Sequence, residues 1–215
     1  MAGGCSPRDG GVSNPTSVGD LCRPNQEAVC IDRSQGMASR KGNLLRLKLE
    51  DGKSSEFRGE LGACAEGEAR KCVIYRLDGY RPTEGLFVVA ESHSDQGRFL
   101  VVDRRTGGRT TVENRPPRFS PLGSHFVGVA SATGRMSGHD LAVWSAGGAE
   151  PRLVWSHDPP AQGDTTYEFL SWQGENTVLL GTSCRPTASA PWHKGEARIV
   201  RSDAGWTLEK PEDCP

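Results

Sequence analysis

The chain lacks any apolar run long enough to cross a membrane as a helix. Its longer stretches, such as Leu86–Ala90, stop far short of the roughly 20 residues a span requires. It also lacks a surplus of one charge. Lys and Arg number 26 against 27 Asp and Glu, a net charge of −1, so the long-range field of a nucleic-acid binder is missing. G-x-S-x-G, H-E-x-x-H, a P-loop and a dinucleotide fingerprint are all absent. None of the seven cysteines forms a C-x-x-C pair, which argues against a zinc ribbon or a thioredoxin-like centre and leaves no metal or other cofactor implied. Apolar residues are only 35%, while Gly (27) and Pro (14) are plentiful. That balance disfavours long helices and favours short elements joined by turns. With 215 residues the chain still suffices for one large domain with a real core.

What is present begins with the cysteines, at 5, 22, 30, 64, 72, 184 and 214. So many in a turn-rich chain point to an oxidising compartment. Setting Cys5 aside, the expected pairs are Cys22 with Cys30, Cys64 with Cys72, and Cys184 with Cys214, one of the 15 connectivities that six cysteines allow. Cys5 follows Ala2-Gly3-Gly4, which resembles the end of a bacterial lipoprotein signal, where small residues precede the lipidated cysteine. Ser6 to Gln26 is rich in Ser, Pro, Gly and Asp, the composition of a flexible spacer. Residues 1–26 are therefore expected to be a tether, and 27–215 a single folded domain.

The interior of the chain reads as strands. Leu45, Leu47 and Leu49 alternate with Arg46, Lys48 and Glu50 up to an Asp51-Gly52 turn, and Lys53 to Phe57 returns: a hairpin with one buried face. Arg98–Asp103 with Arg109–Val112, Leu141–Trp144 with Arg152–Trp155, and Ala197–Arg201 with Trp206–Leu208 repeat the pattern around glycine turns. Each hairpin follows a more apolar segment, Ala28–Ile31, Leu86–Ala90, Phe126–Ala130 or Val178–Thr182, suited to a strand buried on both faces. The expectation is an all-β fold of about four four-stranded units, propeller-like, with a β-sandwich or irregular β-barrel as the alternative. Phe87, Phe99, Phe126, Trp144 and Trp155 lie within strands and are expected in the core.

Phe119-Ser120-Pro121-Leu122-Gly123, followed by Phe126-Val127-Gly128-Val129 and His139-Asp140-Leu141-Ala142-Val143-Trp144, resembles the repeat of TolB-like and WD40-like β-propellers. Ser171 to Val178 aligns with Ser120 to Val127 without a gap and covers a second blade in part. The resemblance implies blades around an axis, with equivalent loops gathered at one mouth.

In such an arrangement the loops between second and third strands collect polar residues: Glu91, His93, Asp95, Arg135, His139, Asp140, Arg185, Trp192 and His193. Trp192 offers a stacking platform and the imidazoles offer hydrogen bonds. Ser202-Asp203-Ala204-Gly205-Trp206 reads as a hairpin turn rather than a sialidase-type Asp-box. The expected function is that of a non-enzymatic lipoprotein, lipid-anchored in the periplasm or outer membrane, or alternatively secreted. Its domain would bind another protein, as an assembly component or an inhibitor or immunity-type factor. No nucleic acid is expected, and the membrane enters only through the lipid on Cys5. The alternatives are a carbohydrate- or small-ligand-binding domain and, further off, a periplasmic hydrolase or lyase using Glu91, Asp95 and His139.

Overall fold

The computed structural model describes residues 26–68, 71–93, 97–113, 115–130, 139–148, 150–158, 164–185, 187 and 189–211. Four antiparallel sheets follow one another along the chain, each a simple meander. Sheet A contains β1 (Ala38–Lys41), β2 (Leu44–Lys48) and β3 (Ser54–Arg58). Sheet B contains β4 (Ile74–Arg81), β5 (Leu86–Ser92), β6 (Gly97–Asp103) and β7 (Arg109–Glu113). Sheet C contains β8 (Arg118–Phe119), β9 (His125–Val129), β10 (Leu141–Ser145) and β11 (Arg152–His157). Sheet D contains β12 (Asp164–Gln173), β13 (Thr177–Arg185), β14 (His193–Ser202) and β15 (Gly205–Glu209). Two short helices, α1 (Glu27–Arg33) and α2 (Leu61–Ala65), flank sheet A in sequence. All-β architecture with repeated meanders is therefore correct, and none of these sheets closes on itself into a barrel.

The sheets pack face to face in chain order. One apolar cluster joins A to B through Leu45, Leu47, Phe57, Leu77, Phe87 and Val89. A second joins B to C through Leu86, Val88, Val101, Phe119, Phe126 and Trp144. A third joins C to D through Val127, Leu141, Val143, Tyr167, Val178 and Ile199. Each fully buried Val, Leu or Phe contributes about 1.5–3 kcal/mol to this stacking. Phe99 and Trp155 are partly buried against the second and third clusters, so all five strand aromatics expected in the core pack there. Gly128 is at a close approach between B and C: a Cβ there would meet Val112 Cγ1 of sheet B at 2.8 Å, and the Trp144 ring of its own sheet at 3.0 Å.

Position in the series dictates residue pattern. In sheets B and C both faces are covered, and β5 and β9 are buried almost without interruption. Sheets A and D are the ends, and no core cluster joins them among the described residues. Accordingly β2 turns Arg46 and Lys48 outward, and β13 alternates, burying Val178, Leu180, Thr182 and Cys184 on one side only. The expectation that Val178–Thr182 is buried on both faces thus fails at Leu179 and Gly181, because among the described residues no core cluster forms on the outer face of D.

The first unit also departs from expectation. Ala28–Ile31 lies in helix α1 rather than in a strand, and sheet A has three strands instead of four. A four-residue apolar run does not distinguish a strand from one face of a short helix. The helix serves the next sheet, because Glu27 Oε1 accepts the Leu77 backbone N–H at 2.8 Å, on strand β4. Arg40 donates to the same carboxylate and to the Tyr75 carbonyl, both at 2.6 Å. Edge strand β4 is in this way blunted against pairing with another chain.

The turn glycines 52, 107, 148 and 205 all have positive φ, the conformation that a tight hairpin requires. Ser202 to Trp206 is the β14–β15 hairpin turn, with Ser202 Oγ accepting the Ala204 N–H. Cys64 and Cys72 form a disulfide as expected, and Cys30 and Cys184 are disulfide-bonded as well. The expected pairings Cys22–Cys30 and Cys184–Cys214 each involve a cysteine outside the described residues, as do the tether and Cys5.

Candidate functional site

Strands β5, β9 and β13 all run toward one end of the sheets, which we call upper, and β6, β10 and β14 return from it. On sheet D this end carries a fixed platform. Arg185, the last residue of β13, donates from Nε to Asp164 Oδ2 at 2.6 Å across the β12–β13 ladder. Its guanidinium lies 4.9 Å from the centroid of the Trp192 ring. Trp192 remains 47% exposed, a large aromatic face held in place yet open to solvent. His193 follows it as the first residue of β14, exposed and opposite Cys184. On sheet C, His139 Nδ1 and Asp158 Oδ1 are 2.7 Å apart, while Asp140 is buried and its carbonyl accepts the Ala130 N–H.

Beneath this rim, between sheets C and D, is a group of residues that the loop-based reading did not identify. Thr165 and Tyr167 project from β12, Thr182 from β13 directly opposite Tyr167, and His157 ends β11. The His157 and Tyr167 rings meet edge to face with centroids 6.2 Å apart, and Trp155 stacks on His157 at the same separation. Thr165, Tyr167 and Thr182 are 3%, 5% and 4% exposed. Even so, their hydroxyls and His157 Nε2 are buried without a hydrogen-bond partner. An unmet buried polar group costs about 1–3 kcal/mol, so a concentration of four calls for an explanation.

The electrostatics disfavour charge on the two titratable groups, Tyr167 and His157. Burial, reinforced by the nearby Asp140 carboxylate, pushes the Tyr167 hydroxyl up to about 12. Burial and then Lys210 lower the His157 imidazole, against the opposing pull of Asp140 and Asp158. A cavity of about 400 Å³ opens on the opposite face of sheet D, lined by Thr166, Glu168, Ser183 and Lys194 with Arg115, while Tyr167 and Thr182, whose side chains point toward C, border it from within the sheet. That volume is within the range of small-molecule sites, about 300–1,000 Å³.

The remaining candidates divide. Glu91 and His93 belong to a separate arrangement on sheet B. Glu91 is 3% exposed, and its Oε1 is 2.7 Å from His93 Nε2 and accepts from Arg98 Nη2 at 2.8 Å. Burial alone would raise this carboxyl, but the Arg98 and His93 contacts outweigh it and hold it below the usual range. A carboxylate so engaged is an ion-pair anchor for the end of β5 rather than a free acid or base. Asp95 and Arg135 lie outside the described residues. Among the described residues no three His, Cys, Asp or Glu side chains converge as a metal site would require.

The lower end of the same gap between C and D differs in that its polar groups are paired. Glu175, in the β12–β13 turn, accepts from Ser120 Oγ at 2.7 Å, from the Leu122 N–H at 2.5 Å, and from Ser124 Oγ. Burial works against this carboxylate, but the bonds from Ser124, Ser120 and Leu122 prevail and lower its pKa. Ser120 and Leu122 of the Phe119–Gly123 motif thus belong to a clamp between sheets. Compared with family models, with curated proteins and with solved structures, the chain matches none.

Proposed function

We propose that the chain is a non-enzymatic binding protein of the bacterial cell envelope, a propeller-like arc of four sheets that docks a protein partner at its upper rim. The serial face-to-face packing of meander sheets supports the propeller-like reading. Oxidised Cys30, Cys64, Cys72 and Cys184 support an oxidising compartment. The lipoprotein-like sequence around Cys5 and the spacer behind it support a lipid anchor in the periplasm or outer membrane. The partner is an assembly component or a factor that the domain neutralises.

The observation that carries protein binding is the Asp164–Arg185–Trp192 stack. Trp and Arg dominate the energetics of protein interfaces, and a ring ordered before binding loses less entropy on docking. The test is co-purification from the envelope fraction under non-reducing conditions. A stoichiometric protein should accompany the wild-type chain and be lost, or bind at least tenfold more weakly, with Trp192→Ala. A partner retained equally by that variant contradicts the assignment of the rim. Mass spectrometry of the same material should show a diacylglyceryl Cys5, and an unmodified Cys5 removes the anchor.

A further inference from the structure

We propose that the cavity on the outer face of sheet D binds a small molecule carrying two carboxylates and one ammonium group, an acidic α-amino acid such as glutamate or aspartate. The strand register lays out the site. On this face Thr166, Ser183 and Lys194 stand side by side on β12, β13 and β14, and the next row down holds Glu168 beside Gly181. Neighbours within a row are about 5 Å apart and the rows about 7 Å. The upper row therefore offers an ammonium and two hydroxyls, and the lower row a carboxylate next to a residue with no side chain. Arg115 closes the wall from the link between β7 and β8, so the cavity is more than a crease in one sheet.

The first ground is space. Gly181 forms the floor: a Cβ there would come no nearer than 3.7 Å to Leu170 Cδ2 and 3.9 Å to Glu168 Cβ, so no neighbouring side chain fills the place it leaves open. The second is charge. The walls carry two cations, Arg115 and Lys194, and one carboxylate, Glu168, while Glu196, opposite Gly181 on β14, is outside them. Among the described residues none of these three wall charges is spent in an ion pair. Arg185, one row higher on the same face, is by contrast held by Asp164. Glutamate and aspartate carry the inverse set at neutral pH, two carboxylates and one ammonium, so every charge meets one of opposite sign. A dicarboxylate without the ammonium would leave Glu168 facing only like charge, and a cationic ligand would face Arg115 and Lys194. The third ground is hydrogen bonding. Guanidinium and ammonium groups donate strong charge-assisted bonds to carboxylates, and the Ser183 hydroxyl, directly across the ladder from Lys194, can donate to the same group.

Neither Arg185 nor Trp192 is on the cavity wall, so this inference does not rest on protein docking at Trp192, and the two are tested by different variants. The full chain is titrated calorimetrically with L-glutamate and L-aspartate, and with glutarate and succinate, the same skeletons without the ammonium group. Saturable binding of at least one amino acid is expected, with its matching dicarboxylate at least fivefold weaker. Lys194→Gln, Arg115→Gln and Gly181→Leu, the last placing a side chain in the cavity, should each weaken the amino acid at least fivefold. Glu168→Gln should weaken the amino acid to the same extent but not the dicarboxylate. Circular dichroism and melting temperature without ligand show that each variant is folded. Arg115, Glu168 and Lys194 are exposed, so their variants carry the comparison if Gly181→Leu is not folded. No saturable binding of either amino acid overturns the proposal, as does a dicarboxylate bound within fivefold of its amino acid. Binding that the folded Lys194, Arg115 and Gly181 variants weaken less than fivefold overturns it too.

Discussion

The two ends of the gap between sheets C and D use similar residue types for opposite purposes. At the lower end Ser120, Ser124 and a backbone N–H converge on the Glu175 carboxylate, and every one of these groups has a partner. At the upper end the hydroxyls of Thr165, Tyr167 and Thr182 and the Nε2 of His157 are buried, yet they have none. Hydrogen bonds that close the lower end tie two sheets together. Groups left unpaired at the upper end cost the fold stability instead of adding to it.

The largest expected effect breaks the closed end. Glu175→Ala removes three hydrogen bonds to a charged group and leaves the fully buried Ser120 short of a partner, so a loss of about 2 kcal/mol is expected in urea denaturation. A loss below about 0.5 kcal/mol would show that the clamp is ornamental. Reducing Cys64–Cys72, or replacing both residues with Ser, acts outside the gap and calibrates the comparison. An eight-residue separation implies about 2.5 kcal/mol of unfolded-chain restriction, and the thermal unfolding temperature measures it.

Next in size is the response to acid. The Glu175 carboxyl is lowered in the folded state, so its contribution is present above its ordinary 4.5 and is lost as pH falls through the lowered value. His125 and His157 are also lowered, in both cases first by burial, and the unfolded chain therefore takes up their protons before the folded one does. Stability from these two is present above their ordinary 6.5 and declines as pH drops below it. Denaturation midpoints should fall between about pH 7 and pH 5, and His157→Gln should flatten that slope. A slope unchanged in His157→Gln would place the titration elsewhere.

Much of the fold was legible in the sequence because two patterns were strong. Period-2 alternation around a glycine turn marked the pairs β2–β3, β6–β7, β10–β11 and β14–β15, and continuous apolar runs marked β5 and β9. Strand β4 was hidden by Asp78-Gly79, which looks like a turn but forms a bulge where the register shifts between Leu77 and Gly79. The three-stranded first sheet was hidden because α1 stands where a strand was expected.

The site was less legible. Sequence reasoning favoured loop residues, and of these Arg185, Trp192 and His193 lie where β13 ends and β14 begins. Thr165, Tyr167 and Thr182 escaped because a Thr or Tyr in a strand is usually read as a β-former. Only the sheet packing reveals that their hydroxyls are shut away from water. The alternation of Thr165 and Tyr167 along Asp164-Thr165-Thr166-Tyr167 was the one available signal, since it places both on the face that D turns toward C.

The smallest expected effect is the most direct test of the contrast. Tyr167→Phe removes a hydroxyl that has no partner, so its unfolding free energy, measured by urea denaturation without ligand, should equal the wild-type value or exceed it by a few tenths of a kcal/mol (~0.3). A loss of about 1.5 kcal/mol or more would show that the hydroxyl is satisfied in the folded protein, and that the two ends of the gap are built alike.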